Sequence, residues 1–470
     1  MGRDQPVGRG HLQRPSVELR TEGNRMGRLE TMTRPFRDAE EWARPRIEEG
    51  IEKNRKADNC IEIVDPQGNP VSDVTVRYKQ NTHSFWHGAN CFMLDELETP
   101  EKNEKYRELF AAAFNQATLP FYWSDLESEK GKPRFAKDSP KIYRRPASDL
   151  CLEYCNEHGI IPKLHCLNYD QWSPMWLPMH DVAEVRRQLE RRIAEIAARY
   201  ADKIHCMEVI NETLCPFKDL DYRHSTDFFW EDDLISWSFE IARKYLPENE
   251  LVINEATRFV WDVNRGERSW YALSIADAIR RGAQIDTIGM QFHMFNRSET
   301  EEELTLPYYD PKRHFGAMDF YDRHFHKPLQ ITEVTIPAYS NSAEDEETQA
   351  RVIENLYSIW FSHPAMEAIT YWNLVDGYAA FAPQGDMASG ENYYYGGLVR
   401  FDFTPKPAYY MIQELFQHRW HTEGSAKTGA DGHADIRGFR GAYNIVLEKN
   451  GFRHIHACLL DGGKLRLVLE

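Results

Sequence analysis

The sequence predicts an α/β fold: a closed (β/α)8 TIM barrel with a small accessory β-sandwich formed from N- and C-terminal strands. Three observations lead there. From residue 84 onward, short apolar runs alternate with amphipathic stretches of helical period, the pattern of parallel strands joined by crossover helices. Eight such runs lie between residues 85 and 374, the number that closes a barrel. Strand-like segments with turn signals stand at both ends of the chain, outside that alternation.

The eight runs are residues 85–91, 116–123, 161–167, 205–212, 250–255, 287–293, 330–334 and 368–374. Each is short and nearly continuous in apolar residues, as strands buried on both faces are. Between the third and fourth, Val182, Val185, Leu189, Ile193, Ile196 and Tyr200 recur at three- and four-residue steps, which makes one buried helix face and leaves the arginines to the solvated face. Ser342, followed by Glu344, Asp345, Glu346 and Glu347, predicts a capped helix start, since carboxylates favour the positive end of the helix dipole.

The ends divide as follows. Residues 1–35 are basic and polar without an apolar stretch, and are expected to be a disordered extension rather than a secretory leader. Residues 36–82 supply an N-terminal helix and two accessory strands around the turn Pro66-Gln67-Gly68-Asn69, and residues 83–420 the barrel. Residues 421–470 read as an antiparallel meander with turns at Asn450-Gly451 and Asp461-Gly462, packing with the N-terminal strands as a sandwich.

Composition narrows the partners. Lysine and arginine number 57 against 74 aspartates and glutamates, a net charge of −17 that disfavours nucleic acid and fits a neutral substrate better. No apolar run approaches the ~20 residues that cross a bilayer, so no membrane association is expected. The eight cysteines include no Cys-x-x-Cys pair and read as reduced, buried thiols, which predicts a cytoplasmic location. Cys151 and Cys155 sit one helical turn apart, but two ligands alone make a poor metal site, and neither metal nor cofactor is expected.

Chemistry in such a barrel belongs to the C-terminal ends of the strands. There the sequence places His165 and Asn168, Asn211 and Glu212, Asn254 and Glu255, Gln291 and His293, Glu333, and Trp372 with Asn373. Two carboxylates across a pocket suit glycoside hydrolysis, and aromatic rings and amides suit the C–H faces and hydroxyls of sugars. Spacing alone allows Glu212 with Glu333 or Glu255 with Glu333. A metal-dependent barrel hydrolase would want a His-x-His on its first strand, which is missing, and a non-catalytic sugar-binding barrel would need neither carboxylate.

Four motifs in order, "VINE" at 209–212, "GMQFH" at 289–293, "QITEV" at 330–334 and "GGLVRFDFTPKPAYY" at 396–410, resemble glycoside hydrolase family 10, best known for endo-β-1,4-xylanases. The similarity runs over residues 84 to 417. It implies a retaining hydrolase that cleaves β-1,4-xylosidic bonds in xylan or xylo-oligosaccharides, or another plant or microbial β-glycoside. By the same resemblance Glu212 is the acid/base and Glu333 the nucleophile. Asn211 would bond the sugar 2-hydroxyl, His293 would orient the nucleophile, Gln291 and His165 would add polar contacts, and Trp372 would form a stacking wall. Tyr169 and Trp123 complete the expected substrate contacts, while Glu255 falls to site support.

Two strands depart from the family pattern. On the second, Tyr122 stands where the family has the lysine of a Lys-Trp pair, and the Glu-Asn pair before it is absent; on the third, Tyr169-Asp170 replaces Trp-His. The catalytic centre is therefore expected to survive with a sugar-reading side built differently.

Overall fold

A computed structural model describes residues 27–215 and 225–469. All eight expected runs form barrel strands. Strands β1 (Lys56–Val64) and β2 (Thr75–His83) precede them; the barrel comprises β3 (Trp86–Asn90), β4 (Gln116–Pro120), β5 (Ile161–His165), β6 (Cys206–Asn211), β7 (Glu250–Asn254), β8 (Thr287–His293), β9 (Leu329–Thr335) and β10 (Met366–Tyr371). They pair in parallel in chain order, and β10 closes onto β3 with Ala368 opposite Trp86 and Tyr371 opposite Ala89. Closure needs close backbone approach: a Cβ on Gly88 would lie 2.3 Å from the carbonyl oxygen of Gln116, so only glycine fits there.

The helix Val182–Tyr200 buries Val185, Leu189, Ile193, Ile196 and Tyr200, the face its period predicts, and Asp181 caps it by accepting from the Glu184 amide at 3.0 Å. One arginine departs from the expected solvated face. Arg192 is buried and donates to the carbonyls of Leu167 (3.1 Å), Cys166 (3.3 Å) and Phe121, tying together the loops that leave β4 and β5. Ser342 caps the helix Ala343–Ser362 through the Asp345 amide, as predicted.

The remaining strands, β11 (Glu423–Lys427), β12 (His433–Phe439), β13 (Gly441–Lys449), β14 (Phe452–Leu460) and β15 (Gly463–Val468), join β1 and β2 in two sheets of order β12-β1-β15 and β11-β2-β13-β14. Ile61, Ile63, Val76, Ile436, Tyr443, Ile445 and Leu447 fill the space between them, so both ends of the chain build one sandwich core. Asn450 (φ 51°) and Gly451 (φ 83°) make the tight turn that Asn-Gly predicts. Of the expected meander, however, only β13 and β14 pair with each other; β11 pairs with β2, and β12 lies in the other sheet beside β1. Gly462 (φ 107°) and Gly463 (φ 92°) swing the chain across the sandwich, where β15 runs parallel to β1 instead of pairing with β14.

The expected extension over 1–35 also differs at its end. Arg28–Asp38 is helical, with Met32 and Phe36 buried and Arg28 held by Glu301 at 2.8 Å and Asp345 at 3.1 Å; residues 1–26 lie outside the described residues. All eight cysteines are free thiols, six of them buried. No helix among the described residues is long and apolar enough to cross a membrane.

Candidate active site

A cavity of about 590 Å³ opens at the C-terminal end of the barrel. Of the expected site residues, His165, Tyr169, Asn211, Glu212, Gln291, His293, Glu333 and Trp372 line it. They converge because each ends a barrel strand or starts the loop after it.

The two carboxylates are joined by amides. Gln291 Nε2 donates to Glu212 Oε1 and to Glu333 Oε1, both at 3.0 Å, and Asn254 Nδ2 donates to Glu333 Oε1 at 2.9 Å and to Asn211 Oδ1 at 2.8 Å. On the other side of Glu212, the Tyr169 hydroxyl donates to Oε2 at 2.5 Å and Gln171 Nε2 at 3.1 Å. Burial holds the Tyr169 phenol far above its ordinary pKa, so it stays a donor.

Glu333 is buried, and that burial pushes its carboxyl up to about 8; the positive charge of His165 pulls against it, while Glu208 and Glu212 add to the rise. His293 Nε2 lies 3.0 Å from Glu333 Oε2 and its Nδ1 lies 2.9 Å from Thr335 Oγ1. Burial lowers this imidazole to about 4, so it is neutral near pH 7; the Thr335 hydroxyl then donates to Nδ1 and Nε2–H donates to Glu333.

Beneath the floor lies a buried charge chain. Lys163 Nζ sits 2.7 Å from Glu208 Oε1, and His165 Nδ1 lies 2.5 Å from Glu208 Oε2, with all three side chains 1% exposed. Burial opposes charge on each, yet the two cations draw Glu208 down to about 2, and Glu208 in turn raises both Lys163 and His165. His165 Nε2 reaches the Tyr122 hydroxyl at 3.1 Å. His165, Glu208 and Glu333 offer ligand atoms within 4.8 Å of one another, the one metal-like grouping among the described residues, but the Lys163 ammonium already supplies Glu208 with a cation.

Glu255, the second carboxylate of a "VINE" run, is fully buried away from the cavity lining. It accepts from the amides of Leu214 (3.0 Å) and Ala256 (2.8 Å) and from Thr213 Oγ1 (3.2 Å), so it braces the residues that follow Glu212. Burial raises its carboxyl to about 8.

Trp123 is the exception among the expected contacts. Pro120 ends β4 and a short helix begins at Trp123, which turns the indole under the loop: its Nε1 donates to Glu127 Oε2 at 2.9 Å and its ring meets Trp176 edge-on at 5.7 Å. Tyr122, one residue earlier, faces the cavity instead and forms with Phe92 and Trp372 an aromatic wall against which Tyr169 and Trp172 pack. Sequence reading passed over Lys163, Glu208, Gln171 and Thr335. A charged residue at the centre of the apolar runs "IPKLHCL" and "HCMEVINE" was the available signal for the first two.

The chain matches glycosyl hydrolase family 10 over residues 88–415. It is 24% identical over 288 residues to endo-1,4-beta-xylanase B of Cellvibrio japonicus, covering 61% of this chain and 41% of that protein. It is 22% identical over 408 residues to the anti-sigma-I factor RsgI6 of Acetivibrio thermocellus, covering 86% and 46%. A third relative, endo-1,4-beta-xylanase B of Thermotoga neapolitana, is 24% identical and covers 73% of this chain and 90% of its own length. The match thus spans less than half the length of the first two. Native xylanase 10B of Thermotoga maritima shares the fold, with a TM-score of 0.55 at 21% identity over 72% of this chain and 96% of that one. Because the match runs from the first strand of the barrel to the helix after its last, the chain belongs to glycosyl hydrolase family 10.

Proposed function

We propose that the protein hydrolyses β-1,4-xylosidic bonds in xylan or xylo-oligosaccharides with net retention of configuration. The observation that carries this reading is the single Gln291 nitrogen bonded to both carboxylates. Two contacts of 3.0 Å to one atom keep the facing oxygens of the two carboxylates close together, which suits the ~5–5.5 Å of a retaining pair better than the ~6.5–9.5 Å an inverting pair needs for its water. In the first step a Glu333 oxygen bonds the anomeric carbon, the glycosidic C–O bond breaks, and Glu212 gives its proton to the departing oxygen. In the second, Glu212 takes a proton from water as the water oxygen bonds the same carbon and releases Glu333.

The other residues support these steps. Asn211 is fixed by Asn254 and Gln291 where it can meet a sugar 2-hydroxyl, and Trp372 offers the face for stacking. Tyr169 and Gln171 hold the Glu212 carboxyl toward the leaving group. Tyr169→Phe is expected to lower kcat about 10-fold or more, the worth of a hydrogen bond to a charged group, with little change in thermal stability.

The pH dependence follows from Glu333. As the attacking group it must be ionised, and burial raises its pKa, so activity rises with pH along an acid limb above the usual carboxylate range. His165 carries a positive charge that lowers that pKa. His165→Asn removes the charge, and its kcat/KM profile is expected to show the acid limb displaced to higher pH; an unmoved limb would detach His165 from the nucleophile.

The test of the function is hydrolysis of xylo-oligosaccharides and a panel of aryl β-glycosides, with product stereochemistry followed by NMR. Cleavage of xylosides with retention bears the proposal out, and cleavage of another β-glycoside alone would move the substrate elsewhere. A second reading is sugar binding without turnover, since one relative that matches over 86% of this chain is named as an anti-sigma-I factor and not as a hydrolase. Saturable binding with no hydrolysis of any substrate would favour it.

A further inference from the structure

Arg144 sets the cavity apart from a site built only for neutral sugar. It stands in the loop between β4 and β5, its residue 6% exposed, and lines the cavity beside Trp372. Other buried arginines of this chain spend their guanidinium on structure: Arg134 uses Nε, Nη1 and Nη2 on the carbonyls of Pro140, Asp125 and Arg145, and Arg192 uses Nε and Nη2 on three carbonyls. Arg144 uses only Nη1, on Asn373 Oδ1 at 3.0 Å and on the Tyr378 carbonyl. Its Nε and Nη2 hold no hydrogen bond among the described residues.

Nor does it have an ion pair there. The neighbouring Arg145 is matched by Asp125 at 2.7 Å, whereas both partners of Arg144 are neutral. The acid that acts most on it is Glu391, which accepts from Asn373 Nδ2 at 3.4 Å and from the Ala380 amide at 3.2 Å. Burying a guanidinium without a counter-charge is costly, and the backbone adds strain: Arg144 adopts φ 63°, a left-handed conformation that a non-glycine residue takes at some cost. A neutral donor would serve Asn373 and Tyr378 as well. An unused pair of N–H groups in fork geometry, held at the cavity wall, matches a planar oxyanion.

We propose that Arg144 binds a carboxylate on the substrate, so that the favoured ligand is a β-linked oligosaccharide with a uronic acid unit, in the chain or as a branch, on the side of the scissile bond that Glu333 attacks. The side follows from position, because Asn373 directly follows Trp372 at the end of β10, whereas Glu212 and its leaving group lie toward β6. The inference rests on the carbohydrate reading of the cavity, and it revises the expectation from net charge that the substrate is neutral.

Two measurements separate it from the proposed hydrolysis. Calorimetric binding to a Glu333→Ala variant, which needs no turnover, would use a xylotetraose bearing a glucuronyl branch and a β-oligosaccharide with uronic acid in its backbone, each as the free acid and as its methyl ester. One of the acids is expected to bind about 10- to 100-fold more tightly than its own ester, the range for a charge-assisted hydrogen-bonded pair. Which one does so places the carboxylate in branch or backbone. Adding Arg144→Gln should bring the acid-to-ester ratio toward one, with Arg144→Lys recovering part of it. Hydrolysis of the same substrates by the wild type is then scored alone. Equal binding of acid and ester, or a ratio unmoved in Arg144→Gln, overturns the assignment even if xylosides are cleaved. A preserved acid preference without hydrolysis would leave Arg144 in its role and remove the enzymatic reading.

Discussion

Glu333→Gln is expected to abolish turnover of every substrate the wild type cleaves, with kcat falling by about 10⁴-fold or more. The change removes the nucleophilic oxygen pair while keeping the volume of the side chain, and its remaining carbonyl can still accept from Gln291 and Asn254. Substrate binding should persist, so a fall in kcat with intact affinity and an unchanged unfolding midpoint is the signature to look for. A smaller Glu333→Ala variant opens room for an external nucleophile. With azide and an activated aryl glycoside it should release a glycosyl azide of inverted configuration, because one displacement replaces two. Residual turnover within tenfold of the wild type in Glu333→Gln would remove Glu333 as nucleophile and reopen the choice among the buried carboxylates.

Glu208→Ala is expected to cost about 3–5 kcal/mol of folding stability, read as a lower urea midpoint at unchanged slope. The reason is what it leaves behind. Lys163 would keep its ammonium at 1% exposure with its one carboxylate partner gone, and His165 would lose the oxygen that now lies 2.5 Å from Nδ1. The double variant Glu208→Ala, Lys163→Met removes both members of the pair and should recover much of the loss, since an apolar replacement for a buried ion pair is often neutral. Glu208 also acts on Glu333 by two opposed routes: its own charge raises the nucleophile, while by holding His165 charged it lowers it, so Glu208→Ala should displace the acid limb less than His165→Asn.

Much of this was legible in the residue order, and the rest failed for identifiable reasons. The eight barrel runs could be read because burial on both faces leaves near-continuous apolar strings, and the strand-end carboxylates because a charge that closes such a string needs a purpose. Trp123 misled because two adjacent aromatic residues after a strand cannot both face the cavity; which one does depends on where the next helix begins, and Tyr122 takes the place. Lys163 and Glu208 are pairs across strands, and a single sequence does not say which residues of β5 and β6 lie opposite. Arg192 looked like a solvent-facing helix residue because its partners are backbone carbonyls, which no side-chain pattern reveals. The crossing of β15 to the other sheet hid behind an Asp-Gly turn that serves equally for a hairpin.

The central position of β1, flanked by β12 and by β15, imposes an order of events during synthesis. Ile61 pairs with Ala434 on one side and Leu465 on the other, so both neighbours leave the ribosome some four hundred residues later. At roughly 5–20 residues per second that is a delay of about 20–80 s, during which the whole barrel emerges. The barrel must therefore reach its native form while β1 and β2 wait with open hydrogen-bonding edges and the apolar faces of Ile61, Ile63 and Val76 uncovered. The helices that precede β1 dock on the helix Ala343–Ser362, which emerges well before the last strands and can anchor the waiting segment to the finished barrel. In a nascent chain stalled before residue 433, that tether would be the device separating productive waiting from aggregation.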